Sequence, residues 1–141
     1  MIRHILFATD GSMAADRAGD YVASIAMRFH AKVTILHAFL VMPVSMANLT
    51  IPSVSAYTVQ KDAEDLAEKT ADRLRNLGVQ EVVTEVIAGQ PANVILGVAE
   101  SIQPDMIILG ARGLSTWKGL LLGSVSTSVV QRAEIPVLVV K

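Results

Sequence analysis

Short runs of β-branched and aliphatic residues alternate with amphipathic helical stretches along the chain, and this alternation restricts the fold more than any other feature. Five runs read as buried strands: 4–9 (HILFAT), 32–40 (KVTILHAFL), 82–87 (VVTEVI), 106–109 (MIIL) and 136–140 (PVLVV). Between them, apolar residues recur at helical spacing. Ala18, Tyr21, Val22, Ile25, Ala26 and Phe29 form one stripe. Val59, Ala63, Leu66, Ala67, Thr70, Leu74 and Leu77 form a second, with charges on its other face. Ile95, Val98, Ala99 and Ile102 form a third, and Val125, Val129 and Val130 a shorter fourth. Ser12 is a suitable N-cap for the first helix, Gly78 a stop for the second and Pro91 a first-turn residue for the third. The order β-α-β-α-β-α-β-α-β predicts an α/β fold: a mostly parallel sheet, helices on both faces and right-handed crossovers. Ligands of such sheets sit outside the carboxyl ends of the strands, where the winding direction reverses.

Length and composition fit this fold. The 141 residues suffice for one domain with a single large core. Hydrophobic residues make up 52% and charged residues 18%, as expected when strands are covered on both faces. The longest low-charge stretch, 33–47, contains His37 and Pro43 and is shorter than the ~20 residues of a spanning helix, so no membrane segment is expected. The first twelve residues lack the long apolar core of a secretory signal, which makes the cytoplasm the default location. There is no cysteine, hence no disulfide and no thiolate metal site. Net charge is −1 and the basic residues are scattered, against a nucleic-acid groove. The segment 41–53, with Pro43, Pro52, Met42 and Met46, is long for a connection; a plain surface loop and a functional lid or interface are both open.

The most informative stretch follows the fourth strand. Gly110 and Gly113 allow a sharp turn and close approach of the backbone to a ligand. Gly123 and Ser124 then open a helix. Its first amides have no internal partner, and with the helix dipole they make an anion site that suits a polyphosphate. The hydroxyls of Ser124, Ser126 and Thr127 add donors. The stretch is not a P-loop, because no lysine separates Gly123 from Ser124. Nor is it a dinucleotide fingerprint, which belongs after the first strand. The plain alternative is that the glycines serve turns and the hydroxyls cap a helix.

Gly110, Gly113, Gly123 and Ser124 stand in the pattern Gly, two residues, Gly, nine residues, Gly-Ser/Thr. In this, and over its whole length, the chain resembles a single-domain universal stress protein of the ATP-binding subgroup. The opening Ile5-Leu6-Phe7-Ala8-Thr9-Asp10-Gly11-Ser12, the run Ile35-Leu36-His37-Ala38 and the closing Ile135-Pro136-Val137-Leu138-Val139-Val140 resemble that family's first, second and final strands. The resemblance implies a three-layer α/β/α sandwich, like the adenine nucleotide alpha hydrolases, with strand order 3-2-1-4-5 and its switch point between strands one and four. It implies ATP as ligand, with or without Mg2+ or Mn2+. Ala8, Thr9 and Ala38 would meet the adenine, with Asp10 nearby. Gly110, Arg112 and Gly113 would line ribose and phosphates. Gly123, Ser124, Val125 and Ser126 would hold the phosphates. Arg112 fills a variable position of the pattern. The resemblance also implies a homodimer in which two final strands pair antiparallel.

Other candidates are weaker. Asp10 is equally well read as an ordinary turn residue. It does not make a receiver domain, which needs clustered acids at the first strand and an acceptor on the third. His4, His30 and His37 lie on different elements, against a metal site. Trp117 reads as a packing anchor and Lys118 as solvated. The stretch 110–132 holds no acidic residue, so Asp10 is the main carboxylate available for phosphoryl transfer, and any turnover should be slow. Three functions are therefore weighed: an ATP-binding stress-response or signalling module with an unidentified protein partner, a slow ATPase or autophosphorylating enzyme, and a nucleotide-free interaction domain.

Overall fold

The structure is a computed structural model describing residues 1–41, 56–113 and 121–141. Its elements alternate as the sequence predicts: β1 (His4–Ala8), α1 (Met13–Phe29), β2 (Lys32–Phe39), α2 (Ala56–Asn76), β3 (Val82–Ala88), α3 (Pro91–Ile102), β4 (Met106–Gly110), α4 (Ser124–Arg132) and β5 (Val137–Val140). The five strands form one parallel sheet in the order β3-β2-β1-β4-β5. Ala8 lies opposite both Leu36 and Leu109, so β1 and β4 end at nearly the same level while β2 runs on to Phe39 beside them. From β1 the chain winds outward to β3, returns to place β4 on the other side of β1, and ends on β5. The reversal sits between β1 and β4.

Both faces of β1 are buried, which explains its unbroken apolar run. Ile5 and Phe7 point into one core with Ala18, Val22 and Ala26 of α1 and Ala71 and Leu74 of α2. Leu6 and Ala8 point into the other with Ala92, Ile95 and Val98 of α3 and Val129 of α4. The buried face of α1 is mostly alanine and glycine, which brings its backbone close to the sheet. The side chain of Ser12 caps α1 by accepting the Ala15 N–H at 3.2 Å, and Pro91 opens α3 as expected. Gly78 follows α2 with φ +108°, a left-handed turn suited to glycine. At the opposite end of the sheet, Asp105 Oδ2 accepts the N–H groups of Arg3 and His4 at 2.6 and 2.8 Å. These bonds hold its carboxyl below the usual carboxylate range. His4 Nε2 lies 2.8 Å from Thr34 Oγ1, and burial, aided by Lys32, pushes its imidazole down.

Among the described residues no helix is long and apolar enough to cross a membrane. The connection read at 41–53 lies, apart from Val41, outside the described residues.

Candidate functional site

Where β1 and β4 part, a cleft of ≈ 430 Å³ opens at the carboxyl edge of the sheet. That volume suits a small-molecule site, for which about 300–1,000 Å³ is usual. All eleven residues nominated from the sequence, Ala8, Thr9, Asp10, Ala38, Gly110, Arg112, Gly113, Gly123, Ser124, Val125 and Ser126, are on its wall. Thr127 is not; its N–H makes the first bond within α4, to Gly123 O at 3.0 Å. Trp117 and Lys118 lie outside the described residues.

The end of β1 is held in one shape by short bonds. Thr9 N–H donates to Leu36 O at 3.0 Å, and Thr9 O accepts from His37 Nδ1 at 2.8 Å. Because a carbonyl only accepts, His37 carries its proton on Nδ1. Asp10 Oδ1 accepts the Ser12 N–H at 2.9 Å, the turn that aspartate favours before a helix. The two readings of Asp10 therefore coexist: it makes the turn and also lines the cleft.

Gly110 and Gly113 are needed for space rather than for a left-handed turn. Among the described glycines only Gly11, Gly78 and Gly89 have positive φ. A Cβ on Gly110 would lie 2.8 Å from the backbone of Ala14 and Ala15, closing the gap through which α1 approaches β4. A Cβ on Gly113 would lie 2.5 Å from Asp10 Oδ2. The pattern thus seats the loop after β4 directly against the end of β1. Ser12 Oγ strengthens this junction by donating to Arg112 O at 3.3 Å. Arg112 itself is exposed at the cleft.

Gly123 is the N-cap of α4 and has no side chain to cap it. The amides of Ser124, Val125 and Ser126 precede the first intrahelical bond and stand on the cleft wall, which is the anion-binding arrangement of a helix start. The Gly123 N–H, in contrast, is committed to Ala111 O at 2.6 Å, and the Ser126 hydroxyl to the same carbonyl at 2.7 Å. The Ser126 hydroxyl, expected from the sequence to add a phosphate donor, donates to Ala111 O in this structure.

The sequence did not nominate the rest of the wall, which is apolar apart from His37: Ala15 of α1, Leu36, His37, Phe39 and Leu40 at the end of β2, Pro91 and Ile95 of α3, and Leu109 and Ala111 around the end of β4. The placement of ligands at strand carboxyl ends was the available signal for these. A wider depression of ≈ 640 Å³ runs along α2 between Asp65, Glu68, Lys69, Asp72 and Arg73, but it is a charged helix surface with no strand end or helix start in it. Among the described residues no three His, Cys, Asp or Glu side chains cluster to hold a metal.

The universal stress protein family model matches residues 1–141. A universal stress protein of Methanocaldococcus jannaschii is 30% identical over 146 aligned positions, spanning 100% of this chain and 83% of that one. One of Mycobacterium tuberculosis is 33% identical over 138, spanning 96% and 94%. Among solved structures, a universal stress protein in complex with cAMP superposes with a TM-score of 0.76 at 26% identity, covering 99% of this chain and 96% of that one.

Proposed function

This chain belongs to the universal stress protein family, and we propose that it binds an adenine nucleotide, ATP foremost, in the cleft between β1 and β4. In this reading it is a nucleotide-dependent stress-response or signalling module. The observation that carries it is the start of α4: three uncommitted amides beside Arg112, on the wall of a cleft whose other side is apolar. Such a site pairs a flat apolar base with a charged phosphate tail. The apolar residues Leu36, Ala38 and Ile95 would take the adenine. Arg112 and the amides of Ser124, Val125 and Ser126 would take the phosphates.

Asp10 is the only carboxylate on the described cleft wall. One carboxylate plus substrate phosphates is an ordinary way to hold Mg2+, so Asp10 Oδ2 fits an ion that arrives with ATP. Bound there, Mg2+ or Mn2+ would offset phosphate charge. Turnover is expected to be far below the ~1 to 10³ per second of typical enzymes, since a single carboxylate must serve every role.

A second reading, that the cleft takes a cyclic mononucleotide, is favoured by the related structure holding cAMP. The two differ in what the α4 amides meet: a chain of phosphates or one phosphodiester. Denaturing the freshly purified protein and analysing the supernatant by absorbance and chromatography tests both. Released ATP supports the first reading and released cAMP the second. A protein that carries no nucleotide and takes none from solution would leave only the interaction domain.

The same reading makes residues 1–141 one domain that works as a homodimer. Pro136 O and Val140 O face β4, accepting from Ile107 and Ala111, so the backbone groups of Val137 and Val139 lie on the open edge of β5. An unpaired apolar edge invites a second strand, and a two-fold pairing of β5 with β5 satisfies it.

A further inference from the structure

Ser126 is 2% exposed, although it stands on the cleft wall. Its hydroxyl donates to Ala111 O at 2.7 Å, with Gly123 O at 3.1 Å. A hydroxyl has one proton to give, and that proton is engaged inside the protein. The Ala111 carbonyl also accepts the Gly123 N–H at 2.6 Å, so both of its acceptor directions are used. Ala111 is itself fully buried, and its N–H is held by Val140 O at 2.6 Å. The exit of β4 and the entrance of α4 therefore meet at the carbonyl of a residue whose N–H is anchored to β5. Closing a loop costs chain entropy, and a loop closed before the ligand arrives spares binding that cost.

We propose that Ser126 is a positioning residue of the nucleotide site: its hydroxyl locks the start of α4 to Ala111 and so sets where the amides of Ser124 and Val125 stand, without donating to the ligand. This rests on the reading of the cleft as an ATP site. The lock is a property of the free protein, which separates it from direct phosphate contact. A direct contact exists only when nucleotide is present.

The experiment compares wild type, Ser126→Ala, Ser126→Cys and Ser126→Thr by amide hydrogen exchange without nucleotide and by titration with ATP and with adenosine. Cysteine keeps the volume with a weak donor, and guards against a misfolded alanine variant. Threonine keeps the hydroxyl. In Ser126→Ala, Gly123 amide exchange should rise several-fold in the free protein, and ATP affinity should fall about tenfold, the scale of one lost buried hydrogen bond. Adenosine affinity should stay within about twofold, because the base end does not use the lock. Ser126→Cys should fall between, and Ser126→Thr should restore both properties. Unchanged exchange with weakened ATP binding would make Ser126 a direct ligand and overturn the proposal. So would faster exchange with unchanged ATP affinity, or equal losses for ATP and adenosine. If wild type binds neither compound, the nucleotide reading itself fails and the proposal falls with it, an outcome visible before any variant is compared.

Discussion

Gly113 shows how a single residue decides whether the site exists. Its hydrogen faces the Asp10 carboxylate where a Cβ would stand 2.5 Å from Oδ2. Gly113→Val must therefore push the loop after β4 away from β1, or turn Asp10 out of the hydrogen bond it accepts from Ser12. Space alone accounts for this, since Gly113 has no positive φ. The glycine spacing pointed to these positions but could not give the reason, because Asp10 and Gly113 are far apart in sequence and only the β1–β4 pairing joins them. The bond from the Ser126 hydroxyl to Ala111 O was hidden for a similar reason, since the two residues meet only in the fold. His4 gives a residue-scale prediction of another kind. Burial, then Lys32, lowers its pKa below the ordinary 6.5, so the folded protein favours the neutral ring. The unfolded chain then binds the proton first as pH falls, and the stability held above about pH 6.5 is lost towards lower pH. Asp105, also depressed, adds a loss in the same direction below its ordinary 3.8. Denaturant melts at about pH 7.5 and about pH 5.5 should show a lower midpoint at the acidic value, and His4→Gln should flatten that step. An equal slope in the variant would assign the loss to other groups.

At the scale of elements, the strands were legible because sheet burial on both faces writes itself as unbroken aliphatic runs. Helix starts were legible from Ser12 and Pro91, whose roles depend only on neighbours in the chain. Two helix ends were not. His30 and Gln103 terminate α1 and α3 in the left-handed region, at φ 54° and 48°, where glycine is the usual choice. For His30, relief of roughly 1–2 kcal/mol of left-handed strain outweighs the greater freedom that glycine gives the unfolded chain, about 0.5–1 kcal/mol. His30→Gly should therefore stabilise the protein by about 0.5–1 kcal/mol in urea denaturation, and a destabilised variant would show that the imidazole makes a compensating contact. The start of α4 is the element on which function depends. Its cap is a glycine, so its amides remain available, whereas at α1 the Ser12 side chain already occupies one of them. Ser124→Ala should weaken ATP binding only about fivefold to tenfold by calorimetry, since it removes one hydroxyl and leaves the amides in place. Complete loss of binding would mean that the hydroxyl, not the helix start, is the principal contact.

The whole molecule places all eleven nominated site residues, though not Thr127, in one cleft because the sheet reverses direction between β1 and β4, as the order β3-β2-β1-β4-β5 shows. Fold class and strand positions followed from local patterns, and the strand order from the resemblance to universal stress proteins. The apolar wall from Phe39, Pro91 and Ile95 did not, because it forms only when β2 and α3 meet across the sheet edge. The edge strand β5 is also tied to that cleft, since it holds Ala111 through Val140 O. Sedimentation at micromolar concentration should give a dimer, and deletion of residues 136–141 should give an aggregating chain with no ATP affinity; a stable wild-type monomer would rule out pairing through β5. The central claim, that an adenine nucleotide lies with its phosphates between the loop after β4 and the start of α4, is tested most directly by calorimetric titration of ATP into wild type and Gly113→Val, with circular dichroism establishing the fold of each. Saturable binding by wild type and none by a folded Gly113→Val protein is the result predicted, and a folded Gly113→Val protein that binds ATP like wild type would contradict it.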